Sequence, residues 1–271
     1  MKIQGSFHTT GVSDYHRREE AFNQACKNGR WIEALDLLQK GPVPELALID
    51  AMKCLGEAMC LQFLQAARNH GPFKSEFTSV NILKIAVENG MLDLARAQIK
   101  AREIPTWGAD MALKIAAESN NRPFVDLLLE SSLCTQQGIN VAALAAAESG
   151  ATDSILEFLV RNAISGTYVH PMESYLDHAL GTPLEECVWS VLIREAGRKG
   201  HWDIAQAVAS CKPYELTKYD LNFLAIGAAS AGKGNVLKDI LSKTQLEPYH
   251  KEEARRAAHY HGQLNLLPLL S

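Results

Sequence analysis

The sequence predicts an all-α fold, a solenoid of about eight helix–turn–helix repeats. Residues 113–163 contain the same pattern twice, thirty residues apart: small apolar residues, Glu-Ser, a Gly or Asn, and a second apolar helix. A turn residue of this kind recurs along most of the chain, and apolar residues follow it at helical spacing. Internal repeats of 20–50 residues are typical of solenoids, in which each unit is stabilised by its neighbours.

The turn residues are the first element of the pattern. Their separations lie close to thirty, apart from one of fifty between the fifth and the sixth. A helix commonly ends on a residue with positive φ, which Gly adopts freely and Asn tolerates. The predicted turn residues are Gly29, Gly56, Gly90, Asn120, Gly150, Gly200, Gly232 and Gly262.

Small and apolar residues flank each turn at fixed distances. The residue four before it is Ala in seven units and Met52 in the second. The residue five after it is apolar in every unit, and the residue eight after it is apolar except at Gln98. Positions five and eight lie on one face of a helix. We therefore expect a first helix with alanines that allow close stacking, and a second helix that buries one apolar face.

Composition excludes several classes of function. The 271 residues carry 27 basic and 31 acidic side chains, a net charge of −4, which disfavours a nucleic-acid surface. No apolar run approaches the ~20 residues of a membrane span, and the N-terminal residues lack the apolar centre of a signal peptide. The six cysteines form no C-x-x-C pair, which suits a reducing compartment such as the cytoplasm. We expect a loose arm over residues 1–16 and a single repeat domain over 17–271.

The motif L-x-x-A-A-x-x-G, followed by an apolar pair eight and nine residues later, resembles the ankyrin repeat. The best matches lie at residues 83–90, 113–120, 145–150 and 200–210, where His201 follows Gly200 as in ankyrin repeats. No unit carries the T-P-L-H motif, and Thr182-Pro183-Leu184 is out of phase. A different solenoid of helical pairs is the alternative fold.

The resemblance implies a function as well as a fold. Ankyrin-type arrays bind a partner protein through a concave groove and finger loops, without a cofactor or a metal. We accordingly expect a protein partner, no nucleic acid, and a monomer or a weak oligomer. Many ankyrin-type effectors of intracellular bacteria act in a host cytosol, so that compartment is the alternative to the protein's own cytoplasm.

The resemblance also places the two residues before each turn on the concave surface. Three successive units carry a glutamate there, Glu88, Glu118 and Glu148, and the next unit carries Arg198 and Lys199. We call these five residues the inner stripe. They predict an acidic groove beside a basic step, suited to a partner segment with the opposite charges. A solvated helix end repeated by duplication would give the same pattern.

Aromatic residues between the repeats are further candidates for partner binding, because aromatic anchors dominate interface energetics. Together with one histidine of the insertion, the predicted contact residues are Phe73, Phe77, Trp107, Tyr168, His170, Tyr175 and Tyr214.

The period is broken at residues 161–190, an insertion between the fifth and sixth repeats. Cys187, His170 and Asp177 could compose a nucleophile set, which makes a hydrolase or transferase the first alternative function. No family signature surrounds them, and His170 and His178 lack a third metal ligand. The second alternative is a homo-oligomeric scaffold that closes on the C-terminal leucines.

Overall fold

The structure, a computed structural model, describes residues 10–71, 73, 75–161, 164, 167–168, 186–213 and 215–271. These residues form fifteen α-helices, one 3-10 helix and one antiparallel ladder of two residues a side. The prediction of an all-α protein is confirmed at this level. The ladder pairs Thr167 with Cys187 and Tyr168 with Glu186, at the two ends of the insertion.

The helices follow one another as eight pairs, each with a first and a second helix. Their bounds are α1 Thr10–Lys27 and α2 Trp31–Lys40; α3 Glu45–Met52 and α4 Glu57–Arg68; α5 Glu76–Glu88 and α6 Leu92–Lys100; α7 Thr106–Glu118 and α8 Arg122–Glu130; α9 Gln136–Ser149 and α10 Thr152–Val160; α11 Val188–Arg198 and α12 Trp202–Cys211; α13 Lys218–Ser230 and α14 Gly234–Lys243; α15 Pro248–Tyr260 and the 3-10 helix η1 Leu264–Leu270.

The chain divides into two compact units, unit 1 (Met1–Gly108) and unit 2 (Ala109–Ser271), with the boundary inside α7. The sequence predicted one domain beginning at residue 17. Helix α1 begins at Thr10, so part of the expected loose arm is helical.

The same packing order holds inside each unit. In unit 1, α2 packs on α4 and α4 on α6, while α3 packs on α5. In unit 2, the first helices α9, α11, α13 and α15 pack on one another in that order, and α8, α10 and α12 do the same. Within each unit, the first helices therefore lie in one layer and the second helices in another, and in unit 2 both layers continue across the insertion.

Seven of the eight predicted turn residues adopt positive φ, between 54° and 79°. After each of them, the next N–H donates to the carbonyl of the residue four before the turn, at 2.7–2.9 Å. This bond is the signature of the Schellman motif, which satisfies the last carbonyls of a helix. The carbonyl belongs in every case to a fully buried alanine: Ala25, Ala86, Ala116, Ala146, Ala196, Ala228 and Ala258.

The prediction for Gly56 is wrong. Its φ is −76° and its ψ 162°, an extended conformation at the N-cap of α4. Helix α3 already ends at Met52, and the thiol of Cys60 donates to the carbonyls of Met52 (3.4 Å) and Leu55 (3.8 Å). The single S–H of Cys60 is shared between these two carbonyls, and the carbonyl of Met52 also accepts the N–H of Leu55 at 3.3 Å.

The connections between one pair and the next are short wherever they are described outside the insertion. They span residues 41–44, 69–75, 101–105, 131–135, 212–217 and 244–247. The described residues of these connections contain no strand. Four of the first helices, α5, α7, α13 and α15, have thirteen residues, whereas α3 has eight. Among the described residues, no helix is long and apolar enough to cross a membrane.

Candidate functional site: the first-turn face of unit 1

Three large apolar side chains are exposed at the beginning of successive first helices in unit 1. Leu46 is 69% exposed in α3, Phe77 66% in α5 and Trp107 42% in α7. Each is the second residue of its helix. Single exposed apolar residues are ordinary on protein surfaces, whereas a cluster of them marks an interaction site.

Phe77 and Trp107 contact each other. Their ring centroids lie 5.4 Å apart and the rings are inclined by 54°. A thirty-residue separation places them at equivalent positions of neighbouring repeats. Their contact leaves both rings partly open to solvent, so together they present one aromatic surface.

The first turns of α3 and α5 are also joined. The hydroxyl of Thr78, next to Phe77, donates to the carboxylate of Glu45, next to Leu46. Helix α5 is fixed at its start by Ser75, whose hydroxyl accepts the N–H of Phe77 at 3.2 Å. Leu46 and Phe77 therefore lie on adjacent helix ends that are held together by a hydrogen bond.

A cavity of about 360 Å³ opens beside these first turns. Its volume is in the range of small ligand pockets. The polar side chains in its lining are Glu45 and His70, and the imidazole Nε2 of His70 lies 2.7 Å from the carbonyl of Leu38. The remaining lining is mostly apolar: Tyr15, Leu38, Pro42, Val43, Pro44, Leu48, Ala67, Gly71 and Phe73.

We call Leu46, Phe77, Trp107 and this cavity the first-turn face. Glu45 connects its parts, because it lines the cavity, precedes Leu46 and bonds to Thr78. Three of the predicted aromatic contact residues, Phe73, Phe77 and Trp107, belong to this face. They were predicted in loops, but Phe77 and Trp107 lie in helices.

The inner stripe is less acidic than the sequence predicts. Glu88 and Glu118 are exposed, and each forms an ion pair with the lysine four residues earlier, Lys84 at 3.6 Å and Lys114 at 3.4 Å. Glu148 is exposed and no described cation pairs with it. Each lysine reduces the net negative charge around its glutamate.

One of the two cations of the basic step also has a partner of opposite charge. The guanidinium of Arg198 lies 3.5 Å from the carboxylate of Glu253, which is on α15. Lys199 is exposed at the end of α11. Lys199 is therefore the residue of the basic step whose charge has no described partner.

Four of the predicted contact residues have side chains that lie outside the described part of the chain. His170, Tyr175 and Tyr214 lie outside the described residues, and of Tyr168 only the backbone is placed, in the ladder with Glu186. The side chain of Cys187, the predicted nucleophile, is likewise outside the described part.

Three of the described cysteines have thiols with raised pKa values. Burial raises the pKa of the Cys26 and Cys60 thiols to about 11, and the pKa of the Cys134 thiol to about 12. These thiols are protonated at neutral pH, and the thiolate is the nucleophile. Within the described part of the chain, no three His, Cys, Asp or Glu side chains are grouped as a metal site would require.

Sequence reasoning missed Leu46, Tyr15 and the cavity. One signal could have found part of the face: the residue thirteen before the turn is aromatic in four units, Phe77, Trp107, Tyr219 and Tyr249. Tyr249 is 64% exposed at the second position of α15, as Phe77 is in α5. The cavity has no such signal, because its lining comes from four helices and two connections.

Comparison with known proteins adds no further assignment, since no family model and no curated protein matches the chain.

Proposed function

We propose that this protein is an interaction module, an ankyrin-like array of helical pairs that binds a partner protein through the first-turn face of unit 1. The observation that carries the proposal is the exposed contact between Phe77 and Trp107. Aromatic side chains are enriched among the residues that contribute most to binding, and they cluster in the centre of interfaces.

The repeated local geometry supports an ankyrin-like array. Seven turns share the positive-φ residue and the same hydrogen bond, and second helices begin two residues after each of those turns. Long first helices and short connections differ from the ankyrin pattern and favour the alternative, another solenoid of helical pairs. In either fold, the first turns take the place that finger loops have in an ankyrin array.

The surface itself supports binding of a protein. Its exposed side chains are aliphatic and aromatic, and the adjoining cavity is large enough to receive a bulky side chain of a partner. A cluster of apolar side chains next to a pocket is the usual anatomy of an interface centre.

Site-directed photocrosslinking tests this proposal. A photoreactive phenylalanine analogue is placed at residue 77, and in a matched protein at residue 32, where Ile32 is 81% exposed on α2. The proposal predicts a specific protein adduct from position 77 and none from position 32. The same adducts from both positions would show that residue 77 has no special role.

A further inference from the structure

We infer that Asn28 is a site of spontaneous deamidation, a covalent modification that needs only water and that loosens the pair formed by α1 and α2. The inference does not depend on the proposed function. The sequence contains two Asn-Gly dipeptides, Asn28-Gly29 and Asn89-Gly90, and each lies at a positive-φ turn between the two helices of a pair. The local structure restrains the second dipeptide more than the first.

Deamidation joins the side chain of Asn28 to the backbone of Gly29. The backbone nitrogen of Gly29 attacks the side-chain carbon Cγ, and a C–N bond forms. The amide nitrogen of Asn28 leaves as ammonia and takes the proton of the glycine N–H. Water then opens the resulting succinimide ring at either carbonyl and gives aspartate or isoaspartate, without an oxidant or a reductant. Glycine favours the attack because it has no side chain beside its nitrogen.

The side-chain amide of Asn89 is bonded to its own helix. Its Nδ2 donates to the carbonyl of Ile85 at 2.9 Å. Asn28 is exposed, and among the described residues nothing bonds to its side-chain amide. The attack requires Cγ to turn towards the next backbone nitrogen. Asn28 can therefore reach the reactive geometry without breaking a side-chain hydrogen bond, whereas Asn89 cannot.

Both turns must also open before the glycine nitrogen can react. The N–H of Gly29 donates to the carbonyl of Cys26 at 3.0 Å, and the N–H of Gly90 donates to that of Val87 at 3.3 Å. Local opening costs less free energy where a helix buries fewer side chains. Helix α1 buries two residues within 14–27, whereas α5 buries eight. The turn at Gly29 is therefore the one that opens more often.

The isoaspartate product disrupts this turn. In isoaspartate the chain continues through the former side chain, so that one extra methylene lies between the Cα of residue 28 and the nitrogen of Gly29. The hydrogen bond from the N–H of Arg30 to the carbonyl of Ala25, at 2.8 Å, spans this linkage. The lengthened backbone cannot keep that bond in the same geometry, and the carbonyl of a buried alanine loses its partner.

Peptide mapping by mass spectrometry, after incubation of the folded full chain at mildly alkaline pH, tests the inference. Tandem spectra locate the change from amide to carboxyl, and electron-transfer fragmentation separates isoaspartate from aspartate. We expect conversion to be at least about tenfold faster at Asn28 than at Asn89, which corresponds to about 1.4 kcal/mol in opening free energy. In concentrated urea, where neither turn is formed, the two residues should convert at similar rates.

Two variants connect the modification with the loosened pair. Asn28→Gln is the matched control, because the longer side chain would have to close a larger ring and reacts far more slowly. After incubation, the original protein should be cleaved by a protease within residues 10–40 faster than the Asn28→Gln variant. Asn89→Gln should be cleaved like the original protein. Before incubation, all three proteins should be cleaved at the same rate.

Each outcome decides something different. Absence of conversion at Asn28, or equal rates at Asn28 and Asn89 in the folded chain, would overturn the assignment of the site. A preference for Asn28 that persists in urea would show that neighbouring residues in the sequence set the rate, and would overturn the structural argument. If Asn28 converts but cleavage within residues 10–40 is unchanged, the loosening of the pair is wrong.

Discussion

Gly197 in α11 and Gly227 in α13 lie directly against each other, and a Cβ on Gly227 would be 3.2 Å from the Cα of Gly197. A Cβ on Gly197 would be only 2.4 Å from the carbonyl oxygen of Phe223. The two helices approach this closely because neither residue has a side chain. This contact joins the first helices of two repeats in unit 2.

Gly197→Ala should therefore destabilise unit 2. The added methyl group meets backbone atoms, which cannot rotate away, and overpacking of this kind typically costs about 1–3 kcal/mol. Chemical denaturation monitored by circular dichroism measures the change. Gly234→Ala is the matched control, because the new methyl would meet only the flexible end of Leu266, and stability should change little. Equal stability of the two variants would contradict the close approach of α11 and α13.

Serine substitution at Gly90 and at Gly56 should have opposite effects. Gly90 has a φ of +71°, where a side chain is strained, so Gly90→Ser should cost about 1–2 kcal/mol. Gly56 is extended at an N-cap and a Cβ there meets nothing within 4 Å, so Gly56→Ser should be neutral or gain a few tenths of a kcal/mol. Thermal unfolding of both variants compares them directly. If Gly56→Ser lost as much stability as Gly90→Ser, Gly56 would have to adopt positive φ, as the sequence predicted.

The sequence predicted the repeats well because their turns depend on local backbone geometry. Gly or Asn at positive φ and alanine four residues earlier are visible without any tertiary contact. Gly56 does not follow the pattern because α3 ends earlier, at Met52, where the N–H groups of Cys54 and Leu55 donate to the carbonyls of Ala51 and Met52. Residue spacing does not reveal this earlier end. At Asn120 the conformation was predicted but not the role of its side chain, whose Oδ1 accepts the N–H of Ser154 in the next repeat at 3.1 Å.

The candidate site was predictable only in part. The aromatic residues Phe77 and Trp107 stood out by type, but the contact between their rings is a tertiary contact that residue spacing does not show. The glutamates of the inner stripe were expected to form an acidic groove, yet Lys84 and Lys114 pair with two of them. A lysine and a glutamate four residues apart on a helix can form an ion pair. This spacing is visible in the sequence, and it predicts a lower net charge for the inner stripe.

Asp220 links the stability of unit 2 to pH. It is fully buried in an ion pair with Lys212, and it accepts the N–H and the hydroxyl of Thr217 at 2.7 Å each. Burial by itself raises the pKa of this carboxyl, but the hydrogen bonds from Lys212, Thr217 and Ser190 outweigh it, so the pKa is lowered. A lowered folded-state pKa means that the stabilisation is present above about pH 4, where the unfolded carboxyl titrates, and is lost as pH falls through the folded value.

Asp220→Asn should accordingly remove several kcal/mol at neutral pH, about 3–5, because it removes the buried carboxylate that pairs with Lys212. Urea unfolding between pH 7 and pH 2.5 checks both claims. The stability difference between the original protein and the variant should shrink below pH 4. A difference that stays constant down to pH 2.5 would show that Asp220 does not titrate in this range.

Glu157 should contribute more to stability than the other carboxylates of its network. It is buried in α10 and accepts from Arg122 Nε at 2.8 Å and from Arg161 Nε at 2.6 Å. Glu157→Gln weakens two charge-assisted hydrogen bonds and should cost about 1–3 kcal/mol. Glu130, 60% exposed and 3.4 Å from Arg161, is the control, and Glu130→Gln should cost less than about 0.5 kcal/mol. Equal costs in thermal melts of the two variants would show that burial of Glu157 adds nothing.

The affinity of the partner captured from residue 77 tests the central claim most directly. Isothermal titration of that partner into the original protein and into the Phe77→Ala and Trp107→Ala double variant gives two dissociation constants at equal fold stability. Binding through the first-turn face predicts a loss of thirtyfold or more in the double variant, while Tyr260→Ala, a change at a tyrosine 85% exposed in unit 2, leaves the constant unchanged. Equal affinity of the double variant and the original protein would contradict the account.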